Sequence, residues 1–259
     1  MPARTSRNPP SVEIEIAPVE HGIARVFIRG RTPLILNRFS EKARHELLLP
    51  GGRKNAAERA QSLKHDPLAE FAAAAHRLVD EHAPTLLAFP ATALKGAMRD
   101  AALEMKGTSK AQIGRLTFIG ADLIPVFGIP HVLCSTVRMA DPGRTPDIRT
   151  RVILPEWAAV AEITFVTPQL RAQSILNLLH AAGLICGIGD WRPQKGSGSY
   201  GQFEVVNADD AVLMRLVKSG ARKQQLAAMK APVAWNSESQ ELLAWYNVEL
   251  RRRGLREAA

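Results

Sequence analysis

The stretch that decides the fold is Gly187-Ile-Gly-Asp-Trp-Arg-Pro-Gln-Lys-Gly-Ser-Gly-Ser-Tyr-Gly-Gln-Phe203. It holds five of the chain's 18 glycines, at Gly187, Gly189, Gly196, Gly198 and Gly201. Glycine reaches positive φ without a steric penalty, and a basic glycine-rich segment can offer backbone N–H groups to an anion. Arg192 and Lys195 supply positive charge, and Trp191 supplies a flat apolar surface. We interpret the stretch as an anion-binding loop; a long surface turn is the alternative.

The flanks of this glycine-rich loop set its place in the fold. The run from Pro168 to Gly183 has helical periodicity, and the segment from Tyr200 to Val206 alternates like a strand. The order is therefore helix, loop, strand. Dinucleotide-binding and P-loop motifs run strand, loop, helix, because their phosphate sits on the helix N-terminus. This order argues against a mononucleotide or dinucleotide site.

Composition limits the class of protein. With 259 residues and 46% hydrophobic content, the chain can form one large domain or two small ones. Cys134 and Cys186 are its two cysteines, and no signal peptide or apolar run of about 18 residues is present, which predicts a cytoplasmic protein without a membrane span. Since C-x-x-C and H-E-x-x-H motifs are absent, we expect no metal and no cofactor.

The charge balance indicates a polyanionic partner. Lysine and arginine total 34 against 25 acidic residues, which gives a formal net charge of +9. Basic residues cluster between Lys42 and Lys64, in the tail from Arg251 to Arg256, and in the middle of the chain. Such a spread favours an extended anionic ligand over a small one.

Hydrophobic periodicity predicts an α+β chain. Residues 1–11 have the composition of a disordered leader. A core domain is predicted over 12–206, with strands at 12–16 and 24–30, helices at 66–82 and 90–103, a basic loop at 48–64 and a hairpin at 131–154. A helical extension follows over 207–259. Its apolar residues, which we expect to meet another copy of the chain, are Leu226, Met229, Trp235, Leu242, Leu243, Trp245 and Tyr246.

Basic side chains recur near the ends of these elements. Arg31, Arg38, Lys42 and Arg44 follow the strand at 24–30. Arg138, Arg149 and Arg151 are predicted to line one face of the hairpin, with a solvated edge guarded by charge as the alternative. Lys95 and Arg99 are four residues apart on one helix and share a face. Gly96 between them costs about 1 kcal/mol relative to alanine, so we expect a backbone or a ligand to approach closely there.

Three segments together resemble the RAMP superfamily, whose members form the backbone of CRISPR ribonucleoprotein complexes and include repeat-RNA-processing relatives. The segments are Arg29-Gly-Arg-Thr-Pro-Leu34, Pro90-Ala-Thr-Ala-Leu-Lys-Gly-Ala-Met-Arg99, and the glycine-rich loop, with Gly187-Ile-Gly189 at its start and Gly196-Ser-Gly-Ser-Tyr-Gly-Gln-Phe203 at its end. They occur in the family's order and span about Ala24 to Val206. The resemblance implies a ferredoxin-like or RRM-like fold, in which an antiparallel sheet carries helices on one face.

The resemblance also implies how the site works. Lys95, Arg99, Arg192 and Lys195 become candidates for phosphate contacts, and Trp191 for stacking on a base, with a core position of Trp191 as the alternative. RNA-cleaving members carry an aspartate in the early loop, but Asn37-Arg-Phe-Ser-Glu-Lys-Ala-Arg-His45 contains none. His21 and His45 are the histidines to consider for the His-based processing relatives. We therefore expect a binding protein and not a nuclease.

Three functions fit these features. The first is a subunit that oligomerises along a guide RNA together with other effector subunits. The second is a stand-alone single-stranded DNA binding or annealing protein of a phage or mobile element. The third is an interaction protein whose basic surface serves assembly. The sequence does not distinguish RNA from DNA, and the salt dependence of binding separates the first two from the third.

Overall fold

A computed structural model describes residues 18–38, 48, 63–138, 143, 146–195 and 198–255. The strands are β1 Glu20–Gly30, β2 Leu34–Leu36, β3 His76–Arg77, β4 Leu87–Pro90, β5 Thr117–Phe118, β6 Leu123–Phe127, β7 His131–Arg138, β8 Pro146–Leu154, β9 Ala158–Thr167 and β10 Phe203–Val206. The helices are α1 Pro67–Ala73, α2 Ala91–Ala101, α3 Lys110–Leu116, α4 Ala172–Ala181, α5 Ala211–Ser219, α6 Arg222–Lys230 and α7 Ser237–Arg252.

Several sequence predictions lie outside the described residues. They are the leader 1–11, the strand 12–16, most of the basic loop 48–64, and the site candidates Lys42, Arg44 and Gly196.

The core of the chain has the ferredoxin-like order of elements. The main sheet runs β10-β1-β9-β6-β4-β3, with β5 on the free edge of β9 beside β6. Helix α2 connects the β1 region to β6, and α4 connects β9 to β10. Strands β1, β6, β9 and β10 thus form a β-α-β-β-α-β unit whose pairs are all antiparallel. The predicted α+β, ferredoxin-like fold is confirmed.

Alternation along the strands places the main hydrophobic core under α2 and α4. Val26 and Ile28 of β1 point to that side and are buried with Leu94 of α2 and Ile175 of α4. The intervening Phe27 points to the opposite face, where it packs with α5 in a smaller cluster. Helices α2 and α4 therefore share one face of the sheet, and the C-terminal helix α5 covers part of the other.

A smaller sheet, β2-β8-β7, is built from two insertions into this core. Strand β2 follows β1, whereas β7 and β8 form the hairpin inserted between β6 and β9. Ile35 pairs with Ile153, and Cys134 pairs with Thr150. The buried side chains of Ile35, Leu133 and Ile153 form a separate apolar cluster on this sheet.

The C-terminal helices pack on their own chain. Asp210 caps α5 by accepting from the Leu213 amide at 2.8 Å, and its carboxylate also pairs with Arg29 of β1 at 2.8 Å. Ser239 at the start of α7 accepts from the Cys134 amide at 3.0 Å and donates to the Cys134 carbonyl at 3.2 Å. The extension over 207–255 is therefore joined to both sheets.

This packing absorbs most of the apolar residues that we expected to meet another copy. Tyr246 is buried, and Met229, Leu242 and Leu243 pack against the main core. Trp235 joins the cluster on the smaller sheet. Leu226 and Trp245 remain exposed. Of the predicted set, these two side chains are the ones that stay accessible to a second copy of the chain.

Some helix boundaries differ from the prediction because tertiary pairing overrides local periodicity. The helix expected over 66–82 begins as predicted, with Asp66 accepting from the Leu68 and Ala69 amides, but it ends at Ala73. His76–Arg77 then pairs with β4 as a strand. Thr92, whose sequence position predicts a cap for α2, lies inside the helix, and the capping position is Pro90 without a side-chain bond.

Candidate nucleic-acid interface

The glycine-rich loop is attached to the segment around β2 by backbone hydrogen bonds. The Asp190 amide donates to the Ile35 carbonyl at 3.0 Å, and the Gly201 amide donates to the Pro33 carbonyl at 2.8 Å. On the other side, the Arg31 amide donates to the Gln202 carbonyl at 2.8 Å. The segment Arg29–Leu34 and the loop, which are far apart in sequence, thus lie against each other.

The glycines allow the loop to fold closely on itself. Gly189 and Gly201 have φ values of +82° and +70°. A Cβ atom at Gly201 would lie 1.8 Å from the Ile188 carbonyl oxygen, and one at Gly198 would lie 1.8 Å from the Trp191 carbonyl oxygen. Side chains at these positions are therefore excluded by the loop's own backbone.

Several described amides of the loop are already bonded to backbone carbonyls. The amide of Ile188 donates to Gly201, that of Tyr200 to Trp191, and that of Lys195 to Arg192. These three N–H groups are therefore not available to a phosphate, and the interpretation of the stretch as an anion-binding loop stays a prediction.

Arg151 of β8 lies between the smaller sheet and the glycine-rich loop and stabilises the loop. Its side chain is 6% exposed, its Nε lies 2.7 Å from a carboxylate oxygen of Asp190, and its guanidinium carbon lies 4.8 Å from the centroid of the Trp191 ring. Burial lowers the pKa of Arg151, and the charge of Asp190 offsets part of this effect. That Arg138, Arg149 and Arg151 line one face of the hairpin stays a prediction; the loop covers Arg151 and leaves Arg149 exposed.

Trp191 is half-buried, so its position lies between the two that were considered, an exposed stacking side chain and a core side chain. It packs with Tyr200, at 6.1 Å between ring centroids, onto the cluster of Ile35, Leu133 and Ile153. Arg151 covers one of its faces. Its φ of +52° is rare for a residue with a side chain and shows that the loop holds it in place. Trp191 is thus a structural side chain that retains partial access to solvent.

Helix α2 meets the loop at its C-terminal end. The side-chain amide of Gln194 donates to a carboxylate oxygen of Asp100, and Lys110 of α3 forms an ion pair with the same carboxylate. Arg99 lies against Gly114 of α3, and its Nε is buried without a hydrogen bond to any described residue. The C-terminal end of α2, at Asp100, therefore lies against the glycine-rich loop.

Lys95 points to a side chain that the sequence analysis missed. Its ammonium nitrogen lies 5.1 Å from the centroid of the Phe118 ring, and Phe118 is 48% exposed. Gly96 has open space beside it, since outside its own helix no described atom lies within 4 Å of a Cβ position there. Of the two expected reasons for this glycine, close approach of a described backbone segment is therefore not found. The available signal was an aromatic residue directly before the Ile119-Gly120 turn, too far in sequence from Lys95 to suggest the pair.

The other predicted basic residues lie in three places. Arg192 and Lys195 belong to the loop and Arg31 lies beside it. Arg31 and Lys195 are exposed, and Arg192 donates to the Gly189 carbonyl at 2.9 Å. Arg138 and Arg149 are exposed on the hairpin. Arg38 is half-buried, and its amide donates to the Ala74 carbonyl at 2.7 Å.

A polar cluster ties the hairpin to α1. His65 lies between two carboxylates, with Nδ1 2.7 Å from Glu70 and Nε2 2.8 Å from Asp147, and Lys64 lies 2.7 Å from Asp147. Burial by itself raises the pKa of Asp147, but the hydrogen bonds from Lys64 and His65 outweigh it and lower the pKa to about 2. Trp245 of α7 lines an adjacent groove of about 370 Å³.

Two kinds of feature are absent from the described part of the chain. It contains no group of three or more histidine, cysteine, aspartate and glutamate side chains placed to hold a metal ion. Its helices include none that is long and apolar enough to cross a membrane.

Comparison with known proteins gives matches among solved structures. No protein-family model matches the chain, and no curated protein matches it. Among solved structures, the chain is similar to a chain in the cryo-EM structure of the Type III-B Cmr-beta complex bound to cognate target RNA. The TM-score is 0.37 at 16% sequence identity, over 72% of this chain. This chain spans 59% of the length of that neighbour.

Proposed function

We propose that this chain is a non-catalytic, single-stranded nucleic-acid-binding subunit, with guide RNA as its ligand, that oligomerises along the strand as a backbone component of a CRISPR-type ribonucleoprotein. The target RNA in the Cmr-beta structure belongs to that complex, and the geometry of this chain supports the proposal. Single-stranded ligands suit a surface that offers cations and aromatic rings without a closed pocket.

One observation supports the proposal most directly. The three segments that resemble the RAMP superfamily are distant in sequence, yet Arg31 of the first and Asp100, directly after the second, both bond to the glycine-rich loop, through Gln202 and Gln194. Around their junction lie the exposed side chains of Arg31 and Lys195 and the half-buried side chain of Arg99. A cationic surface at such a junction fits a phosphate backbone.

The proposal includes the absence of cleavage. The segment Asn37–His45 holds no aspartate, and Glu41 is its only carboxylate. We therefore expect labelled RNA to remain intact in the presence of the protein and Mg²⁺. Product bands that disappear when one residue of this chain is changed would contradict this part of the proposal.

The central test is the salt dependence of binding to a fluorescein-labelled oligouridylate. For single strands the slope of log K against log salt is about −0.7 for each phosphate neutralised. The double variant Arg31→Ala with Lys195→Ala should weaken binding and make the slope shallower by about 1.4. The charge-matched control is Arg171→Ala with Lys218→Ala, because Arg171 at the start of α4 and Lys218 in α5 are both exposed. Wild-type affinity that does not change with salt would contradict the proposal and favour an assembly protein.

The alternative is a single-stranded DNA binding or annealing protein of a phage or mobile element. Competition of unlabelled oligouridylate and oligothymidylate for the same labelled strand separates the two ligands. Purification of the chain from its native host, followed by analysis of the co-purified nucleic acid, gives the natural ligand and its length distribution. Tighter binding of DNA, or co-purified DNA, would favour the alternative.

A further inference from the structure

Phe118 is an exposed aromatic residue beside Lys95, and Arg99 lies about one turn further along α2. Phe118 occupies the second position of the short strand β5, after Thr117, which is fully buried. Alternation along a strand turns the two side chains to opposite sides, so Thr117 faces inward and Phe118 faces out. Nearly half of the Phe118 ring surface is exposed to solvent.

Lys95 contacts this ring and makes no ion pair with a described residue. Its ammonium nitrogen lies over the ring, 5.1 Å from the centroid, in the arrangement of a cation–π pair. One ring face thus contacts a cation while the ring as a whole stays accessible. One turn further along α2, Arg99 has a buried Nε without a described hydrogen-bond partner.

The backbone of α2 is open beside these two cations. Gly96 follows Lys95, and outside its own helix no described atom lies within 4 Å of a Cβ position there. A glycine in a helix interior costs stability relative to alanine, and the described chain provides no packing reason for it. The absence of a side chain leaves room for a ligand directly on the backbone of α2.

These groups are continuous with the glycine-rich loop. Asp100, next to Arg99, accepts a hydrogen bond from Gln194 of the loop. Helix α2 rises 1.5 Å per residue, so Lys95 and Asp100 are separated by about 7.5 Å along its axis. A strand that leaves the loop can therefore reach Phe118 by following α2.

We propose that Phe118 is a base-stacking position for single-stranded nucleic acid, with Lys95 and Arg99 contacting phosphates on either side of the stacked base. This inference deepens the proposed function and depends on it. A nucleic acid is favoured over a protein partner because the exposed ring is accompanied by Lys95, Arg99 and the exposed Arg115 of α3, whereas a protein-binding core is depleted in charge.

The test uses the full chain and a fluorescein-labelled oligouridylate of about 12 nucleotides, within the range of site sizes typical of single-strand-binding modules. Phe118→Ala and Phe118→Leu should each bind about 5- to 150-fold more weakly than the wild type, which is the range for loss of one stacked base. Phe118→Trp should bind as tightly as the wild type or more tightly. Leu103→Ala is the matched control, because Leu103 is a 64% exposed apolar residue directly after α2.

An abasic scan of the oligonucleotide makes the test specific to stacking. In the wild type, one abasic position should weaken binding by about the same factor as Phe118→Ala. In the Phe118→Ala protein the same abasic position should have no further effect. A Phe118→Leu protein that keeps the wild-type melting temperature and binds like the wild type would overturn the stacking role, as would an abasic effect that persists in Phe118→Ala.

Photo-crosslinking gives an independent readout. With 4-thiouridine in the oligonucleotide, a crosslink should appear on the tryptic peptide 116–138, which contains Phe118. Crosslinks confined to other peptides would contradict the assignment. If the wild type binds no nucleic acid, the proposed function itself fails, whereas binding that ignores Phe118 refutes this inference alone.

Discussion

Gln225 of α6 gives the sharpest test of how the C-terminal helices belong to the fold. Its side chain is 0% exposed and makes four hydrogen bonds to backbone groups of the core. Its Oε1 accepts from the Leu86 and Leu87 amides at 2.8 and 2.9 Å, and its Nε2 donates to the Val126 and Gly128 carbonyls at 2.8 and 3.0 Å. The amide thereby joins the β4 and β6 regions.

Gln225→Met removes these bonds and keeps most of the side-chain volume. Each bond contributes about 1 kcal/mol net, and a buried backbone group left unpaired costs about 1–3 kcal/mol. Four groups lose their partner at once, so we expect the free energy of unfolding to fall by about 4 kcal/mol or more. That is a large part of the roughly 5–15 kcal/mol by which typical domains are stable.

The assay is urea unfolding followed by circular dichroism. With an m-value of about 3 kcal/mol/M, the midpoint should fall by about 1 M or more. Gln224→Met is the control, because Gln224 is the preceding residue on the same helix and is exposed; its midpoint should stay within the effect of a surface change. Equal midpoints for the two variants would refute the role given to Gln225 and the attachment of α6 to the core.

Three further predictions concern stability and assembly. Gly201→Ala should lower the free energy of unfolding by about 2 kcal/mol or more, because its Cβ would lie 1.8 Å from a backbone carbonyl oxygen at a φ of +70°. Gly96→Ala should raise the free energy of unfolding by up to about 1 kcal/mol. A melting temperature of Gly201→Ala that equals or exceeds that of Gly96→Ala would contradict the packing described for the two glycines. The pKa of Asp147 is lowered to about 2 in the folded protein, so its contribution to the free energy of unfolding is present above the unfolded-state pKa of about 4 and is lost as the pH falls through 2. The wild type should therefore lose about 1–2 kcal/mol between pH 5 and pH 2. The urea midpoints of Asp147→Asn should not show that loss. Trp245→Ala, at a 60% exposed position, should shorten the multimers that sediment on long single-stranded RNA while Val79→Ala does not; unchanged multimers would exclude Trp245 from the contact between copies.

The fold was largely predictable because its signals are local and agree with one another. Alternation in β1 and β9, and the 3.6-residue period of α2 and α4, each specify one element and its buried face. The inserted hairpin followed from a strong turn signal between two alternating runs. Helix ends were less predictable, as at Ala73, because pairing of β3 with a distant strand decides where α1 stops.

The sequence indicated candidate site residues but not the contacts among them. Arg29–Leu34 lies against the glycine-rich loop and Asp100 bonds to it, and these contacts join residues far apart in sequence. Arg151 and Arg149 have the same local pattern, and the glycine-rich loop decides which of them is covered. The pairing of Phe118 with Lys95 had no local signal, because it arises from the packing of α3 on α2.

The smaller sheet affects how the chain folds while it is being synthesised. It joins β2 to the hairpin of β7 and β8, so that Leu34 pairs with Leu154, 120 residues later. Strand β1 likewise obtains its two neighbours from residues 158–167 and 203–206. A nascent chain therefore carries unpaired strand edges until residue 206 has left the ribosome, and pairing over such separations is slow. Fragments that end before residue 154 lack the partners of both β1 and β2 and should aggregate through these open edges.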